Sequence, residues 1–194
     1  MRQNTGKMIK ISLLSAAALI LMYFDFPVLP MFPWLKIDLS DVPAMLGAFG
    51  FGPLAGVTIE LIKNILILIV KGTQTGFVGE CANFIIGVSL VFPAGFIYHK
   101  KKSKKTAIIG MIIGGIFMEV AGIIANVYFL LPAFGMSKSG AELTTYVLAG
   151  LLPFNGIKAI LVSSITYVLY KKVSVAVFKA EPNFGSKEKM PKVN

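Results

Sequence analysis

Residues 42–70, VPAMLGAFGFGPLAGVTIELIKNILILIV, decide how many times this chain crosses a membrane. The stretch is predominantly apolar and is interrupted at residues 50–53, where two glycines and a proline favour a tight turn. It forms either one long kinked helix or a short helix, a turn and a full-length helix. A hydrocarbon core takes about 20 apolar residues to cross, so length alone allows both arrangements.

Composition places the chain among integral membrane proteins. Of its 194 residues, 56% are hydrophobic and only 14% are charged, whereas about 25% are charged in soluble domains. The net charge is +10, but the basic residues lie in short segments between apolar runs. That pattern is typical of membrane orientation and argues against a nucleic-acid partner.

Cysteine and histidine usage excludes several kinds of site. The lone Cys81 allows neither an intrachain disulfide nor a cysteine-built metal site. The single histidine, His99, stands beside a lysine run and is predicted to be a solvated loop residue. Histidine-based catalysis is therefore not indicated, and no metal site is expected.

The sequence predicts an all-α integral membrane protein with one membrane domain, residues 1–178. The apolar segments give helices at residues 10–24, 42–49, from the turn to residue 70, 77–98, 106–131 and 148–170. Residues 179–194 are polar and are expected to form a disordered cytoplasmic tail.

The distribution of basic residues favours six spans over five. With six, three basic groups share one side of the membrane: Arg2, Lys7 and Lys10; the HKKKSKK loop at residues 99–105; and Lys171 with Lys172. With five, that loop would lie opposite the N-terminus. Because basic loops concentrate on the cytoplasmic side, we expect six transmembrane helices with both termini in the cytoplasm of a bacterial cell.

The short second helix has a consequence for the loop before it. Residues 42–49 would be only about 12 Å long, at 1.5 Å per residue, and cannot cross the bilayer alone. The preceding segment, residues 24–43, FDFPVLPMFPWLKIDLSDVP, must then dip into the membrane from outside. Non-helical backbone at that depth is tolerated when it lines a cavity, which predicts a re-entrant first extracellular loop over a ligand pocket. The alternative is a short, tilted helix that deforms the local bilayer.

Several ionisable and amide side chains lie inside predicted spans, where they are expensive and often functional. Glu60 and Lys63 are three residues apart on one helix face and are predicted to pair. Lys158 either pairs with Glu119 or donates to a bound ligand. Asn126 offers a donor and an acceptor from one amide, which suits a lactam-like edge, although it can equally bond a neighbouring helix.

Four stretches resemble the riboflavin-binding S-components of energy-coupling factor (ECF) vitamin transporters. They are LKIDLSDVPAMLGAFGFGPLAG at residues 35–56, GFVGECANF at 76–84, NVYFLLPAFGM at 126–136 and LPFNGIKAI at 152–160. The DxSDVPA and PFNxxK elements in combination are specific to the riboflavin branch. The resemblance covers almost the whole chain.

The resemblance implies a substrate-capture subunit without catalytic activity of its own and without a cofactor. It would bind riboflavin near the outer face and dock on a transmembrane T-component driven by two cytoplasmic ATPase subunits. Lys36 stands where the family commonly has a neutral residue, so flavin mononucleotide (FMN) is a second possible ligand. The implied ligand contacts are Leu35, Lys36, Ile37, Asp38, Gln74, Thr75, Asn83, Asn126 and Lys158.

The expected docking face lies on the first helix. The family often has an AxxxA pattern there, and this chain has Ser12 and Ala16 at the same spacing. Two alternative functions remain open from the sequence: an S-component for another vitamin, such as thiamin or biotin, and an enzyme or self-sufficient ion-coupled carrier that uses Glu119 and Lys158. The enzyme or carrier alternative is disfavoured, because the sequence shows neither a nucleophile–base pair nor an internal repeat.

Overall fold

The computed structural model describes residues 2–73 and 75–176 of the chain. Gln74 and the predicted tail, residues 179–194, lie outside the described residues. Within them, the protein is almost entirely helical. Four helices have regular α geometry throughout: α1 (Arg2–Tyr23), α2 (Asp41–Phe51), α3 (Pro53–Lys71) and α4 (Val78–Lys100).

The last two helices each contain a π-helical segment. Helix α5 consists of an α-helix at Lys104–Ala125, a π segment at Asn126–Leu130 and a final turn at Leu131–Ala133. Helix α6 consists of Gly140–Thr145, a π segment at Tyr146–Leu151 and a long α-helix at Leu152–Ala176. Helices α1, α3, α4, α5 and α6 are long and apolar enough to cross a membrane, and α2 is not.

The structure resolves the alternatives for residues 42–70 in favour of two helices. Gly52 has φ of 109°, in the left-handed region that glycine adopts without steric cost. Pro53 then occupies the first turn of α3, where its missing N–H is not needed. Helix α2 has 11 residues and is therefore about 16 Å long. It is longer than predicted but still too short to span the hydrocarbon.

His99 is not the solvated loop residue that the sequence predicts. It lies in the last turn of α4, half-buried, with Nε2 at 3.0 Å from the carbonyl oxygen of Ala48 and 3.1 Å from that of Phe49. Nearby, Lys7 donates to the carbonyl of Phe51 at 3.2 Å. The last carbonyls of a helix lack intrahelical partners. These side chains supply partners for Phe49 and Phe51 and add a second one at Ala48, whose carbonyl also accepts from the N–H of Gly52 at 3.0 Å.

Helix α2 forms the centre of the bundle. Every residue from Asp41 to Phe49 is buried, and α2 packs against α1, α3, α4 and α6. A helix that is apolar on all sides is stable only when surrounded, and these neighbours provide that enclosure. The main core includes Met45, Phe49, Leu90 and Met118.

The segment between α1 and α2 is folded, and it adds a small sheet to the predicted all-α architecture. Strand β1 (Phe26–Pro27) pairs antiparallel with β2 (Lys36–Ile37). The tip of this hairpin buries Phe32 and Leu35 in a second apolar cluster with α5 and α6 residues. We call the end of the bundle that carries this hairpin the hairpin end. Gly72 and Thr75, after α3, and Phe134, after α5, line one cavity with the hairpin and therefore lie at the same end.

Candidate ligand-binding site

A cavity of about 310 Å³ lies beneath the hairpin, between α4, α5 and α6. Five of the nine predicted ligand contacts line it: Leu35, Lys36, Asn83, Asn126 and Lys158. They come from the hairpin and from three separate helices. The fold therefore brings together residues that are widely spaced in the sequence.

A second cavity of about 220 Å³ adjoins the first. The two share five lining residues, Asp25, Lys36, Gly79, Asn83 and Phe134. They are therefore adjoining parts of one site, and we call the first cavity the inner chamber and the second the outer chamber. Asp38 and Thr75 line the outer chamber. Ile37 is fully buried in the second apolar cluster and is absent from both linings, so it anchors the hairpin and does not face either chamber. Gln74 lies outside the described residues.

Lys158 faces the inner chamber and is held by two carboxylates. Its ammonium lies 3.0 Å from Oδ2 of Asp41 and 3.6 Å from Oδ2 of Asp38. All three residues are at least 95% buried. Removing one member of a buried ion pair leaves the other without compensation, so Lys158 is fixed in place by the end of the loop and the start of α2.

Lys63 extends this arrangement into α3. Its ammonium contacts the other carboxylate oxygen of Asp41, donates to Oγ of Ser40 at 2.8 Å, and lies 2.8 Å from Oε2 of Glu60. The predicted pairing of Glu60 with Lys63 is confirmed. Asp41 is the shared member, since it binds both ammonium groups. The polar network ties the loop, α2, α3 and α6 together in the bundle interior.

The predicted alternative, a Lys158–Glu119 ion pair, is wrong. Glu119 instead accepts a hydrogen bond from Nδ2 of Asn155 at 3.4 Å and lines a separate groove between α5 and α6. Asn155 itself lines the inner chamber. Its position three residues before Lys158, on the same helix face, was the sequence signal that it belongs to the site.

Asn126 is oriented by a tyrosine that the sequence analysis missed. Its Nδ2 donates to the carbonyl of Gly122 at 2.9 Å, and its Oδ1 accepts from the hydroxyl of Tyr146 at 3.1 Å. Trp34 Nε1 in turn donates to that hydroxyl at 3.4 Å. Tyr146 was missed because helix six was predicted to begin at residue 148. A primary amide has two Nδ2 hydrogens, and among the described residues Gly122 takes one of those of Asn126, so the other is available to a ligand.

Both π segments lie at this site. Asn126 begins the first and Tyr146 begins the second, and the two residues are bonded to each other. Single π turns occur frequently at functional sites because they shift the register of the following side chains. Here they bring a polar pair into an otherwise apolar wall.

Apart from the polar residues and those that it shares with the outer chamber, the inner chamber has apolar and aromatic walls. Trp34, Phe134 and Phe154 line it, together with Leu35 and other aliphatic side chains. The Trp34 ring is fixed by an edge-to-face contact with Phe32, with centroids 5.7 Å apart. Such walls suit a planar, mostly apolar ligand with polar atoms along one edge.

The outer chamber is polar. Oδ1 of Asn83 is buried and receives no hydrogen bond from the part of the chain that the structure describes. Buried polar atoms are normally satisfied, so this oxygen is available to a donor on a ligand. Oγ1 of Thr75 accepts from the backbone N–H of Gly79 at 2.8 Å, which places the threonine at the rim of the chamber.

Three charged residues meet at the mouth of the cavity. Asp25, at the start of the hairpin, binds Lys71 at 3.0 Å through Oδ1 and Lys36 at 3.4 Å through Oδ2. Partial burial alone would raise the pKa of Asp25, but the neighbouring ammonium groups of Lys71 and Lys36 lower it overall. The carboxylate thus stays ionised and links both ends of the hairpin to the end of α3.

A bundle of apolar helices around a cavity with a polar end and a folded cover defines a membrane-embedded small-molecule binding protein. The chain belongs to the substrate-specific components of ECF transporters: it matches the family described as "ECF transporter, substrate-specific component" over residues 6–170. Members of this family are binding components of transporters, so the chain is a transport subunit and not an enzyme.

Individual relatives agree with this assignment. The chain is 39% identical to the riboflavin transporter RibU of Staphylococcus aureus (strain TCH60), covering 89% of this chain and 92% of the relative. It is 37% identical to the riboflavin transporter FmnP of Bacillus subtilis (strain 168), covering 86% and 91%. A solved S component of a bacterial ECF transporter superposes with a TM-score of 0.76 at 38% identity, covering 89% and 96%.

Proposed function

We propose that this protein captures riboflavin at the outer face of a bacterial cell membrane and delivers it inward with an ATP-driven ECF module. The observation that carries the proposal is the lining of the inner chamber, which combines the polar groups of Lys158, Asn126 and Asn155 with the aromatic rings of Trp34, Phe134 and Phe154. Relatives at 37% and 39% identity are named riboflavin transporters, and the chamber has the chemistry that a flavin requires.

The hydrogen-bonding groups and the apolar surface of the isoalloxazine ring correspond to those of the inner chamber. Its pyrimidine edge carries carbonyl acceptors and one N–H donor, whereas its dimethylbenzene end is apolar. Lys158 and the remaining Nδ2 hydrogen of Asn126 donate to the carbonyls, and Oδ1 of Asn155 is an acceptor for the N–H. Trp34 and Phe154 cover the ring faces. Hydrogen bonds to charged groups contribute about 1.5–3 kcal/mol each, so Lys158 carries most of the recognition of the edge.

The ribityl chain occupies the outer chamber in this proposal. Its hydroxyl groups each donate and accept, which matches the polar lining there. The unpartnered Oδ1 of Asn83 accepts one hydroxyl proton, and Thr75 offers a hydroxyl at the rim. Gln74 remains a proposed contact on the grounds of the sequence alone. Lys36 and Asp38 belong to the same chamber.

The proposed membrane placement follows from the length of α2 and from charge. Helix α2 is about 16 Å long and starts beside the ion-pair network, so its first turn lies within the membrane's depth. The hairpin is then a re-entrant extracellular loop, and the single six-helix domain has both termini in the cytoplasm. The basic loop at residues 99–105 and the N-terminal lysines support that orientation.

The proposed partners are a transmembrane T-component and two cytoplasmic ATPase subunits, as family membership implies. The docking face that we propose is α1, where Ser12 and Ala16 are both exposed on the same side of the helix. Small residues four apart allow close approach of a neighbouring helix. Ser15 is buried and donates to the carbonyl of Ile11 at 2.9 Å, so its hydroxyl is already used within the helix.

A spectroscopic titration tests the proposed function. We expect purified protein to quench riboflavin fluorescence stoichiometrically and to copurify with a yellow chromophore. Thiamin and biotin should not compete. A colourless preparation that leaves riboflavin fluorescence unchanged contradicts the proposal, and competition by another vitamin redirects it to that vitamin. Accumulation of flavin by proteoliposomes that contain this protein alone, driven by a proton or sodium gradient, would support an ion-coupled carrier instead.

A further inference from the structure

The triad Asp25–Lys36–Lys71 lies at the mouth of the outer chamber, and all three residues line it. Both ammonium groups converge on one carboxylate, at 3.0 Å and 3.4 Å. From the sequence alone, Lys36 could be an unpaired cation that binds the phosphate of FMN. In the structure it is paired with Asp25. The place between the two lysines is already taken by an internal anion.

The other acids of the outer chamber have partners of their own. Asp38 faces Lys158 at 3.6 Å and accepts from the N–H of Ser40 at 2.8 Å. Glu80 accepts from Oγ1 of Thr73 at 3.0 Å. Together with Asp25, the chamber lining contains three carboxylates and two lysines. Carboxylates accept hydrogen bonds and ammonium groups donate them, so this lining favours ligand groups that can do both. Alcohol hydroxyls are such groups.

A phosphate ester meets this lining differently from an alcohol. It carries a charge of about −1.5 to −2 at pH 7 and has no strong donor. Each ammonium has three N–H donors, so a phosphate that contacts Lys36 and Lys71 either displaces the carboxylate of Asp25 or lies beside it. In both cases the carboxylate remains close by as a like charge. A neutral ribityl hydroxyl can instead donate to Asp25 while the two ion pairs persist.

We infer that Asp25 is a specificity-determining residue that favours the uncharged flavin alcohol over its phosphate ester by occupying the anion position between Lys36 and Lys71. This inference rests on the proposed function, since it assumes that a flavin occupies the joined chambers. It assigns Lys36 and Lys71 to holding Asp25 and not to binding a ligand phosphate.

The test is the ratio of two dissociation constants, that for FMN divided by that for riboflavin, measured by fluorescence quenching on the full-length protein. Asp25→Asn should lower the ratio about fivefold or more, because an anion gains access to two lysines at a partly exposed site. Lys71→Gln should raise the ratio by a similar factor, since Asp25 then keeps more of its negative potential. The opposite shifts distinguish local competition for the lysines from a general loss of structure.

Glu142→Gln is the matched control. Glu142 is an exposed acid in the first turn of α6, at the same hairpin end, and it lines neither chamber. The Glu142→Gln substitution removes the same charge as Asp25→Asn. It should leave the ratio of dissociation constants within about twofold of the wild-type value, because exposed charges are screened over a Debye length of about 10 Å.

Three outcomes overturn the inference: an unchanged ratio in Asp25→Asn, an equal shift in Glu142→Gln, or a lowered ratio in Lys71→Gln. In each of these, riboflavin still binds and the proposed function stands. If wild-type protein binds neither flavin, the proposed function fails and the inference fails with it. The two failures are therefore distinguishable in one set of titrations.

Discussion

The ammonium of Lys158 lies 3.0 Å from Oδ2 of Asp41, so the last helix of the bundle is bonded to the first turn of the central buried helix. The same ammonium faces the inner chamber. One side chain thus serves both the packing of α6 against α2 and the recognition of a ligand. Asp41 lines neither chamber, and its ion pair with Lys158 limits how far the ammonium can move.

Lys158→Met should weaken riboflavin binding about 10- to 100-fold, because a charge-assisted hydrogen bond contributes about 1.5–3 kcal/mol. The measurement is a fluorescence-quenching titration. Lys63→Met is the matched control, since Lys63 is fully buried in the same network and is absent from the lining of both chambers. Its effect on affinity should be clearly smaller. Equal losses of affinity in the two variants would mean that Lys158 is structural.

Asp41→Ala should destabilise the ligand-free protein by about 3–5 kcal/mol, because it leaves two buried ammonium groups without their shared partner. Thermal or denaturant unfolding in detergent measures the change. Asp25→Ala provides the comparison: Asp25 also binds two lysines, but its side chain is 26% exposed and its partners are over 40% exposed. Exposed pairs contribute about 0–1 kcal/mol. Similar losses of stability in both variants would contradict the importance assigned to the buried network.

Local signals were sufficient to predict most of the fold. The apolar runs gave the helices, and the Gly52–Pro53 pair marked the turn between α2 and α3. The β1–β2 hairpin was not predicted, because strands of two residues have no hydrophobic periodicity. The early start of α6 was missed for a related reason: Gly140–Thr145 is short and polar, and it joins the apolar helix through a π segment.

The candidate site was likewise predicted only in part. Lys158 was found because an ammonium inside an apolar helix requires an explanation. Its partner was not identified, since Asp41 follows a loop and reaches Lys158 only through tertiary packing. Tyr146 was missed because it precedes residue 148, where the last helix was predicted to begin, and its bond to Asn126 on α5 forms only through tertiary packing. Residue type and spacing therefore indicated which side chains matter, but not which of them contact one another.

Gly87→Ala should destabilise the protein by about 1–3 kcal/mol through overpacking. A Cβ at Gly87 would overlap the carboxylate of Glu60, which is fully buried and paired with Lys63. Gly156→Ala is the control, since it is also helical and a Cβ there meets no atom within 4 Å. We expect it to be neutral or slightly stabilising, because alanine has the higher helix propensity. Unfolding of the two variants in detergent provides the comparison, and equal stabilities would show that α3 and α4 can separate at little cost.

Tyr146→Phe should weaken riboflavin binding about two- to tenfold, which corresponds to the net contribution of about 0.5–1.5 kcal/mol from a neutral hydrogen bond. The hydroxyl of Tyr146 donates to Oδ1 of Asn126 and accepts from Trp34, so its loss lets the Asn126 amide rotate away from the ligand edge. Tyr128→Phe removes the same atom from a side chain that is 71% exposed, and it should leave the affinity unchanged. Lumiflavin, which keeps the isoalloxazine ring but has a methyl group in place of the ribityl chain, should lose affinity by the same factor as riboflavin in Tyr146→Phe. A loss confined to riboflavin would place the effect of Tyr146 on the ribityl chain and refute its role in orienting Asn126.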